Sequence, residues 1–89
     1  MLTVTRYSDE DDAVRLANES SFGLGGSVWT ADAKHGLEIA RRGRTGTIGI
    51  NKYTGDPGGP CGGAKGGGIG RESGPDGLHS YQQLKSIYL

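Results

Sequence analysis

Glycine supplies 18 of the 89 residues, and ten of those glycines lie between Gly55 and Gly74. Glycine loses more conformational freedom on folding than any other residue, so a regular helix or strand is disfavoured over this run. The run is therefore either a flexible segment or a loop whose path requires positive φ angles and close backbone approach. A functional loop is the usual reason for the second arrangement.

Two nucleotide-binding interpretations of this run fail on spacing. A phosphate-binding Walker loop has a lysine followed by serine or threonine, but Lys65 is followed by Gly66. The dinucleotide fingerprint G-x-G-x-x-G is also absent, because Arg71 occupies the position of the third glycine. A plain flexible linker remains open, although linkers are monotonous and this run carries single, placed residues. Those residues are Pro60, Cys61, Lys65, Arg71 and Glu72.

Composition limits the chain to one small domain with a thin core. A domain of this length buries only about 60 to 65% of its unfolded surface, and 33% of the residues are hydrophobic. We therefore expect the chain to fold poorly alone. Ten basic residues balance ten acidic ones, so nucleic acid and anionic membranes are not expected partners. One cysteine and no membrane-length apolar stretch predict a cytoplasmic protein without disulfides.

Hydrophobic periodicity predicts alternating strands and helices in the first half of the chain. The predicted elements are a strand at 2–7, a helix from an N-cap at Ser8 to about Asn18, a strand at 25–30, a helix at 32–42 and a strand at 47–51. Connections this short imply right-handed crossovers. We therefore predict an α/β fold with a partial open parallel sheet of β-α-β-α-β order.

The second half is predicted to be a long Gly-rich loop, a short helix and a terminal strand. Ligands of open α/β sheets bind beyond the carboxyl ends of the strands, so the loop that starts at Asn51 is expected to line a pocket. Residues 76–81 predict about one and a half helical turns, and residues 84–89 alternate as a strand. That strand has no local partner, which is typical of an edge that pairs with another chain or with more of a larger protein.

Several side chains that suggest chemistry have a simpler interpretation. Cys61 with His35 or His79 would suggest a nucleophile, but neither histidine has a spacing that places it beside the thiol. We predict no catalytic, cofactor-binding or metal-binding residue in this chain. A basic cluster is expected at a helix C-terminus from the macrodipole alone, without an anion site. Its members are Arg41, Arg42 and Arg44.

Three segments carry recognisable patterns in register. Residues 22–30 are FGLGGSVWT, residues 44–51 are RTGTIGIN, and residues 60–74 are PCGGAKGGGIGRESG. They resemble, in this order, Y-G-L-x-x-x-V-[WF]-T, R-x-G-x-x-x-[VI]-N and the C-terminal signature P-F-G-G-x-K-x-S-G-x-G-R-E-x-G of the NAD(P)-dependent aldehyde dehydrogenase superfamily. Cys61 replaces the usual phenylalanine, and Gly67 replaces the usual serine.

The resemblance implies a C-terminal portion of such an enzyme, an oxidoreductase that converts an aldehyde and NAD(P)+ into a carboxylic acid and NAD(P)H. It assigns residues 1–52 to the end of the catalytic domain, 53–74 to a Gly-rich pocket loop and 75–89 to a tail with an oligomerisation strand. The family's catalytic cysteine, glutamate base and dinucleotide-binding domain lie upstream of the matched region. The isolated chain is therefore expected to be inactive and to bind neither NAD nor NADP.

The resemblance also implies two groups of site residues. The family's matching loop lines the aldehyde entrance, which makes Tyr53, Asp56 and Cys61 candidates for a small-aldehyde pocket. The tail is expected to join the remainder of a subunit or a homo-oligomer, and an arginine in the family's G-R-E element can pair there with a carboxylate, a position that Gln83 occupies here. The interface candidates are Arg71, Gln83, Lys85, Ile87 and Leu89.

A second hypothesis comes from a different class of protein. The chain would be a free-standing binding or assembly module, which uses the Gly-rich loop to hold an anion and residues 84–89 to add a strand to a partner.

Overall fold

Short helices and strands alternate along an elongated chain. A computed structural model describes every residue from Met1 to Leu89. The elements in chain order are α1 (Glu10–Glu19), β1 (Phe22–Gly23), β2 (Gly25–Val28), α2 (Ala33–Arg42), β3 (Thr47–Ile50), β4 (Ala64–Lys65), α3 (Gly74–Leu78) and a 3-10 turn (His79–Tyr81). None of these helices has the length and apolar character needed to cross a bilayer.

Both long helices begin at an aspartate that caps the first turn. The Asp9 carboxylate accepts a hydrogen bond of 2.8 Å from the N–H of Asp12, and the Asp32 carboxylate accepts two from first-turn N–H groups. The prediction of Ser8 as the N-cap of α1 was wrong by one residue. A carboxylate at this position accepts hydrogen bonds from free N–H groups, and its negative charge is also stabilised by the positive end of the helix dipole. The backbone N–H and the hydroxyl of Ser8 instead donate to the Asp12 side chain.

A parallel β-α-β unit forms the centre of the fold. Strands β2 and β3 pair in parallel, with Gly25 opposite Thr47 and Val28 opposite Ile50. Helix α2 connects them and packs on the pair, where a Cβ at Gly36 would lie 3.1 Å from the Ile50 side chain. The glycine therefore allows the close approach of helix and sheet. Together with α1, this unit supplies the α-β-α-β part of the predicted β-α-β-α-β order.

The predicted strand at 2–7 is absent. These residues are exposed and make no backbone hydrogen bond to any other segment. A strand needs a neighbour to pair its N–H and C=O groups, so β-propensity alone does not produce one here. For the same reason residues 82–89 form no strand within this chain, whereas the helical turns predicted at 76–81 correspond to α3 and the 3-10 turn.

The Gly-rich run is tied into the fold by backbone pairing. Strand β4 pairs antiparallel with β1, so that Phe22 lies opposite Lys65. Cys61 and Glu72 form an antiparallel bridge with hydrogen bonds of 2.7 and 2.8 Å. The segment between them is therefore a loop with a defined path, and the linker interpretation is wrong.

The core is small for a chain of this mass. Ala40 is the only buried hydrophobic residue, while Phe22 and Trp29 are 69% and 70% exposed. The solvent-accessible surface is 7517 Å², whereas a compact protein of 9.3 kDa exposes roughly 5,000 Å². The radius of gyration is 16.6 Å, against about 12 Å for a compact domain of this length. Apolar surface that a compact domain would bury is thus exposed.

We expect the isolated 89-residue chain to bind the dye ANS and to melt over a broad temperature range, because its elements bury too little apolar area to offset the entropy of ordering them. ANS fluorescence and circular dichroism melting measure both properties. A sharp, cooperative transition without dye binding would contradict this account of the core.

Candidate functional site

A cleft of about 650 Å³ lies between the β2–β3 pair and the loop that follows β3. The strands contribute Gly26, Thr47, Ile48 and Gly49 to its lining, the loop contributes residues 52–57 and 59–61, and Ser73 precedes α3. The structure thus brings the three predicted pocket residues, Tyr53, Asp56 and Cys61, into one cleft. The sequence analysis did not identify Thr47 and Ser73, which stand at variable positions of the motifs, whereas Lys52 lies on the loop that was expected to line a pocket.

Asn51 determines how the loop leaves the sheet. Its N–H donates to the Val28 carbonyl at 2.8 Å, and its side chain both accepts from the N–H and donates to the C=O of Thr30, each at 2.8 Å. The side chain therefore continues the parallel ladder beyond β3. Asn51 has a φ of 54°, a left-handed conformation that asparagine adopts more readily than most residues, and the loop turns there toward the cleft.

The two loop candidates nearest β3 are positioned differently. Tyr53 is 66% exposed, and its hydroxyl lies close to the backbone of Gly25. The Asp56 carboxylate accepts a hydrogen bond of 2.9 Å from the N–H of Gly58, while its carbonyl accepts one of 3.0 Å from Gly59. Asp56 is therefore partly used by its own turn. With Lys52 also in the lining, the cleft carries one charge of each sign.

Cys61 presents an exposed, free thiol to the cleft. No histidine forms a hydrogen bond with this thiol: His35 of α2 hydrogen-bonds Glu10 of α1, and His79 belongs to the 3-10 turn. The structure therefore does not assemble a Cys–His pair. Likewise, no group of three or more His, Cys, Asp or Glu side chains is arranged to hold a metal ion.

Two cationic side chains fasten the Gly-rich run. The Lys65 Nζ atom donates to the carbonyls of Asn18 at 2.8 Å and Ser20 at 3.0 Å. The Arg71 Nη1 atom donates to the carbonyls of Gly63 at 2.8 Å and Gly70 at 2.9 Å. Arg71, an interface candidate, thus holds its own loop in this chain and makes no hydrogen bond to Gln83. The other interface candidates, Lys85, Ile87 and Leu89, lie in the exposed tail.

The run also lies directly against the start of β3. A Cβ at Gly46 would be 1.6 Å from the carbonyl oxygen of Gly62, so only glycine fits at this point. Gly46 immediately precedes Thr47, which lines the cleft. The packing of the run against Gly46 therefore helps to shape the cleft wall.

Helices α1 and α2 are joined by polar contacts. The Asn18 side chain donates to the Arg42 carbonyl at 2.9 Å and accepts from the Arg44 N–H at 2.7 Å. The Arg42 guanidinium pairs with Glu10 and Asp11 of α1, so it is occupied by this helix contact. A hydrogen bond to Glu10, together with the charge of that carboxylate, raises the pKa of His35 above 6.5.

Comparison with known proteins agrees with this architecture. Residues 1–87 match the aldehyde dehydrogenase family. The geranial dehydrogenase of Castellaniella defragrans is 52% identical over all 89 residues. Among solved structures, a Mycobacterium tuberculosis aldehyde dehydrogenase complexed with NAD+ is 53% identical over 93% of the chain, with a TM-score of 0.90. An NAD-dependent aldehyde dehydrogenase of Sinorhizobium meliloti is 40% identical over 93% of the chain, with a TM-score of 0.86.

The chain therefore belongs to the aldehyde dehydrogenase family. It covers only a small part of these relatives: 19% of the geranial dehydrogenase and 17% of each of the two solved chains. It thus corresponds to one portion of an aldehyde dehydrogenase. A small hydrophobic core is expected of a portion, because part of its apolar surface packs against the rest of the enzyme. To test this portion within a whole enzyme, we consider a chimera in which residues 1–89 replace the matched part of the Castellaniella enzyme.

In this chimera we expect a pH-dependent contribution of His35 to stability. Because the folded-state pKa of His35 is raised, the contribution is full below pH 6.5 and is lost as the pH rises through the folded-state value. The melting temperature of His35→Gln should therefore fall below that of the chimera at pH 6 and approach it at pH 8.5. Differential scanning fluorimetry at low salt measures the difference.

His79→Gln is the matched control, because the His79 side chain has no acidic partner. Since the His35 pair is exposed, 1 M salt should shrink the pH 6 difference. An equal difference at both pH values would contradict the Glu10 interaction.

Proposed function

We propose that this chain forms the substrate entrance and the assembly tail of an NAD(P)-dependent aldehyde dehydrogenase, which oxidises an aldehyde to a carboxylic acid. The observation that carries the proposal is the family match over residues 1–87, combined with a cleft that holds Tyr53, Asp56 and Cys61. These residues lie on the loop that the family uses at its aldehyde entrance. Their role is to admit and orient the aldehyde, with no covalent chemistry.

The geometry of Cys61 supports this division of roles. A nucleophilic cysteine requires an adjacent base or a positive environment that favours the thiolate. No histidine hydrogen-bonds the Cys61 thiol, and its backbone is used to bridge Glu72. We infer that the nucleophile and the general base belong to the parts of the family's sequence outside residues 1–89. A side chain smaller than the family's phenylalanine leaves room at the entrance for a wider aldehyde.

The residues present do not suit the dinucleotide. A pyrophosphate binds at a helix N-terminus through free N–H groups and a glycine turn. Here Asp9 and Asp32 place carboxylates on the N-termini of α1 and α2, where they occupy N–H groups and repel a phosphate. We propose that NAD(P) is held elsewhere in the enzyme. We also propose a cytoplasmic location, because the reducing conditions of that compartment suit the free, exposed thiol of Cys61.

The alternative of a free-standing anion-binding module has less support. Such a module would need unpaired backbone N–H groups in the Gly-rich run. The N–H groups of Gly66, Gly67 and Gly68 instead donate to the carbonyls of Ser21, Ala64 and Lys65. These three N–H groups are therefore used within the fold, which favours the role of a pocket wall.

The exposed tail supports the assembly role. Residues 82–89 are exposed to solvent, and the side chains of Leu84 and Leu89 are fully exposed. An apolar segment with unpaired backbone groups is suited to pair with a strand of another subunit or another part of the same one. Alternation places Lys85, Ile87 and Leu89 on one face of that strand.

The chimera tests the proposed activity. We expect it to reduce NAD+ when supplied with geranial, with a kcat/KM within about ten-fold of the parent enzyme, a difference of about 1.4 kcal/mol in transition-state stabilisation. NADH absorbance measures the rate. The isolated 89-residue chain at the same concentration should produce no NADH.

A folded chimera without activity would refute the entrance role, provided that circular dichroism and sedimentation match the parent. NADH production by the isolated chain would refute the assignment of the catalytic groups to the rest of the enzyme.

We expect Ile87→Asp in the chimera to weaken subunit assembly at least about ten-fold, because an unpaired carboxylate in an apolar strand contact costs more than 1.4 kcal/mol. Ser86→Asp is the matched control, since it adds the same charge to the opposite face of the strand. Sedimentation equilibrium measures both dissociation constants. Equal weakening by the two variants would argue against an ordered strand contact.

A further inference from the structure

We propose that Lys65 is a positioning residue that sets the shape of the aldehyde entrance by fastening the Gly-rich run to the C-terminus of α1. The inference rests on the proposed function, because it assigns a role to a residue that lies outside the cleft but holds one of its walls.

Helix α1 lacks its own cation at the end where Lys65 binds. Its last turn contains no basic residue, and the last four carbonyls of a helix have no partners within the helix. Lys65 donates to the carbonyls of Asn18 and Ser20 from a partly buried position. A single ammonium group therefore satisfies two acceptors and compensates the negative end of the helix dipole.

The backbone of Lys65 indicates that the position requires this side chain. Its φ is 54°, a left-handed conformation that a residue with a Cβ adopts only when surrounding contacts hold it. Glycine would adopt this conformation without strain, and glycines flank the position on its C-terminal side. A lysine in the left-handed region, in a run so rich in glycine, is explained by the two hydrogen bonds that its Nζ atom makes.

A short, tightly packed segment connects Lys65 to the cleft. Cys61 lies four residues earlier and lines the entrance, and Gly62 between them lies directly against Gly46. On the other side Arg71 holds the Gly63 carbonyl. Because Gly62 packs directly against Gly46, we infer that a shift of β4 away from α1 moves Cys61 relative to Thr47.

The effect on catalysis should depend on the size of the aldehyde. Lys65 does not line the cleft, so its removal leaves every contact group of the entrance in place and changes only their spacing. A small aldehyde passes an altered entrance freely, whereas a ten-carbon aldehyde must fit it. A residue that only stabilised the fold would lower the amount of active enzyme without distinguishing the two substrates.

The experiment compares variants of the chimera with geranial and propionaldehyde. In Lys65→Met we expect the KM for geranial to rise about ten-fold, the change that corresponds to loss of a hydrogen-bonded charge. The KM and kcat for propionaldehyde should stay within about two-fold of their values in the unmodified chimera. Lys65→Arg retains the charge and the donors, so it should restore most of the geranial KM. Lys34→Met removes an exposed lysine of α2 and should change the KM and kcat for neither aldehyde.

Hydrogen exchange provides a readout that does not depend on activity. The Gly66 N–H donates to the Ser21 carbonyl next to the Lys65 contact, so its exchange should accelerate at least about ten-fold in Lys65→Met and not in Lys34→Met. If the unmodified chimera makes no NADH, the proposed function fails and exchange alone decides the role of Lys65.

Three results would overturn the proposal: unchanged exchange at Gly66, equal KM changes for both aldehydes, or a lower melting temperature with unchanged KM values. If Lys65→Met does not assemble, Lys65→Gln replaces it, since glutamine retains a donor without the charge. We then expect a rise of about three-fold in the geranial KM, and no rise would overturn the proposal.

Discussion

The junction at the C-terminal end of α1 holds the parts of this chain together. Asn18 uses its side chain to bind the end of α2, through Arg42 and Arg44, while its carbonyl accepts from Lys65. One residue thus links two helices and the Gly-rich run. This matters because hydrophobic burial is small, with Ala40 the only buried hydrophobic residue. Directional hydrogen bonds therefore define the relative placement of elements that a larger core would otherwise define.

The Gly-rich run depends on that junction for its shape. Glycines permit the chain to lie against Gly46 and to turn repeatedly, but they supply no side chains that would select one path. Lys65 and Arg71 favour one path, because their side chains donate hydrogen bonds to the carbonyls of Asn18 and Gly63, respectively. One wall of the cleft is thus backbone that two cations hold, and Cys61 and Tyr53 are among the side chains that line the cleft.

The parallel pair and its helix could be predicted from the sequence, because their periodicities are local and α2 has clear N-cap and C-terminal signals at Asp32, Arg41 and Arg42. The terminal strands could not. Residues 2–7 and 84–89 have the composition of strands, but a strand exists only where another strand pairs with it. That partner is not among these residues, so propensity predicted an element that the chain alone does not form.

The site shows the same division. The resemblance to the family made Tyr53, Asp56 and Cys61 candidates on one loop. The fold brings them into one cleft, and their contact with substrate is a proposal. Thr47, Ser73 and the acceptors of Lys65 come from distant segments, and no local pattern identifies them.

By itself, the sequence determined the family and the central β-α-β unit, because both depend on residue types at fixed local spacing. The tertiary structure decided which acceptors Lys65 binds and how the Gly-rich run lies against β1 and Gly46. Those features depend on distances between segments up to 47 positions apart, which spacing along the chain does not encode.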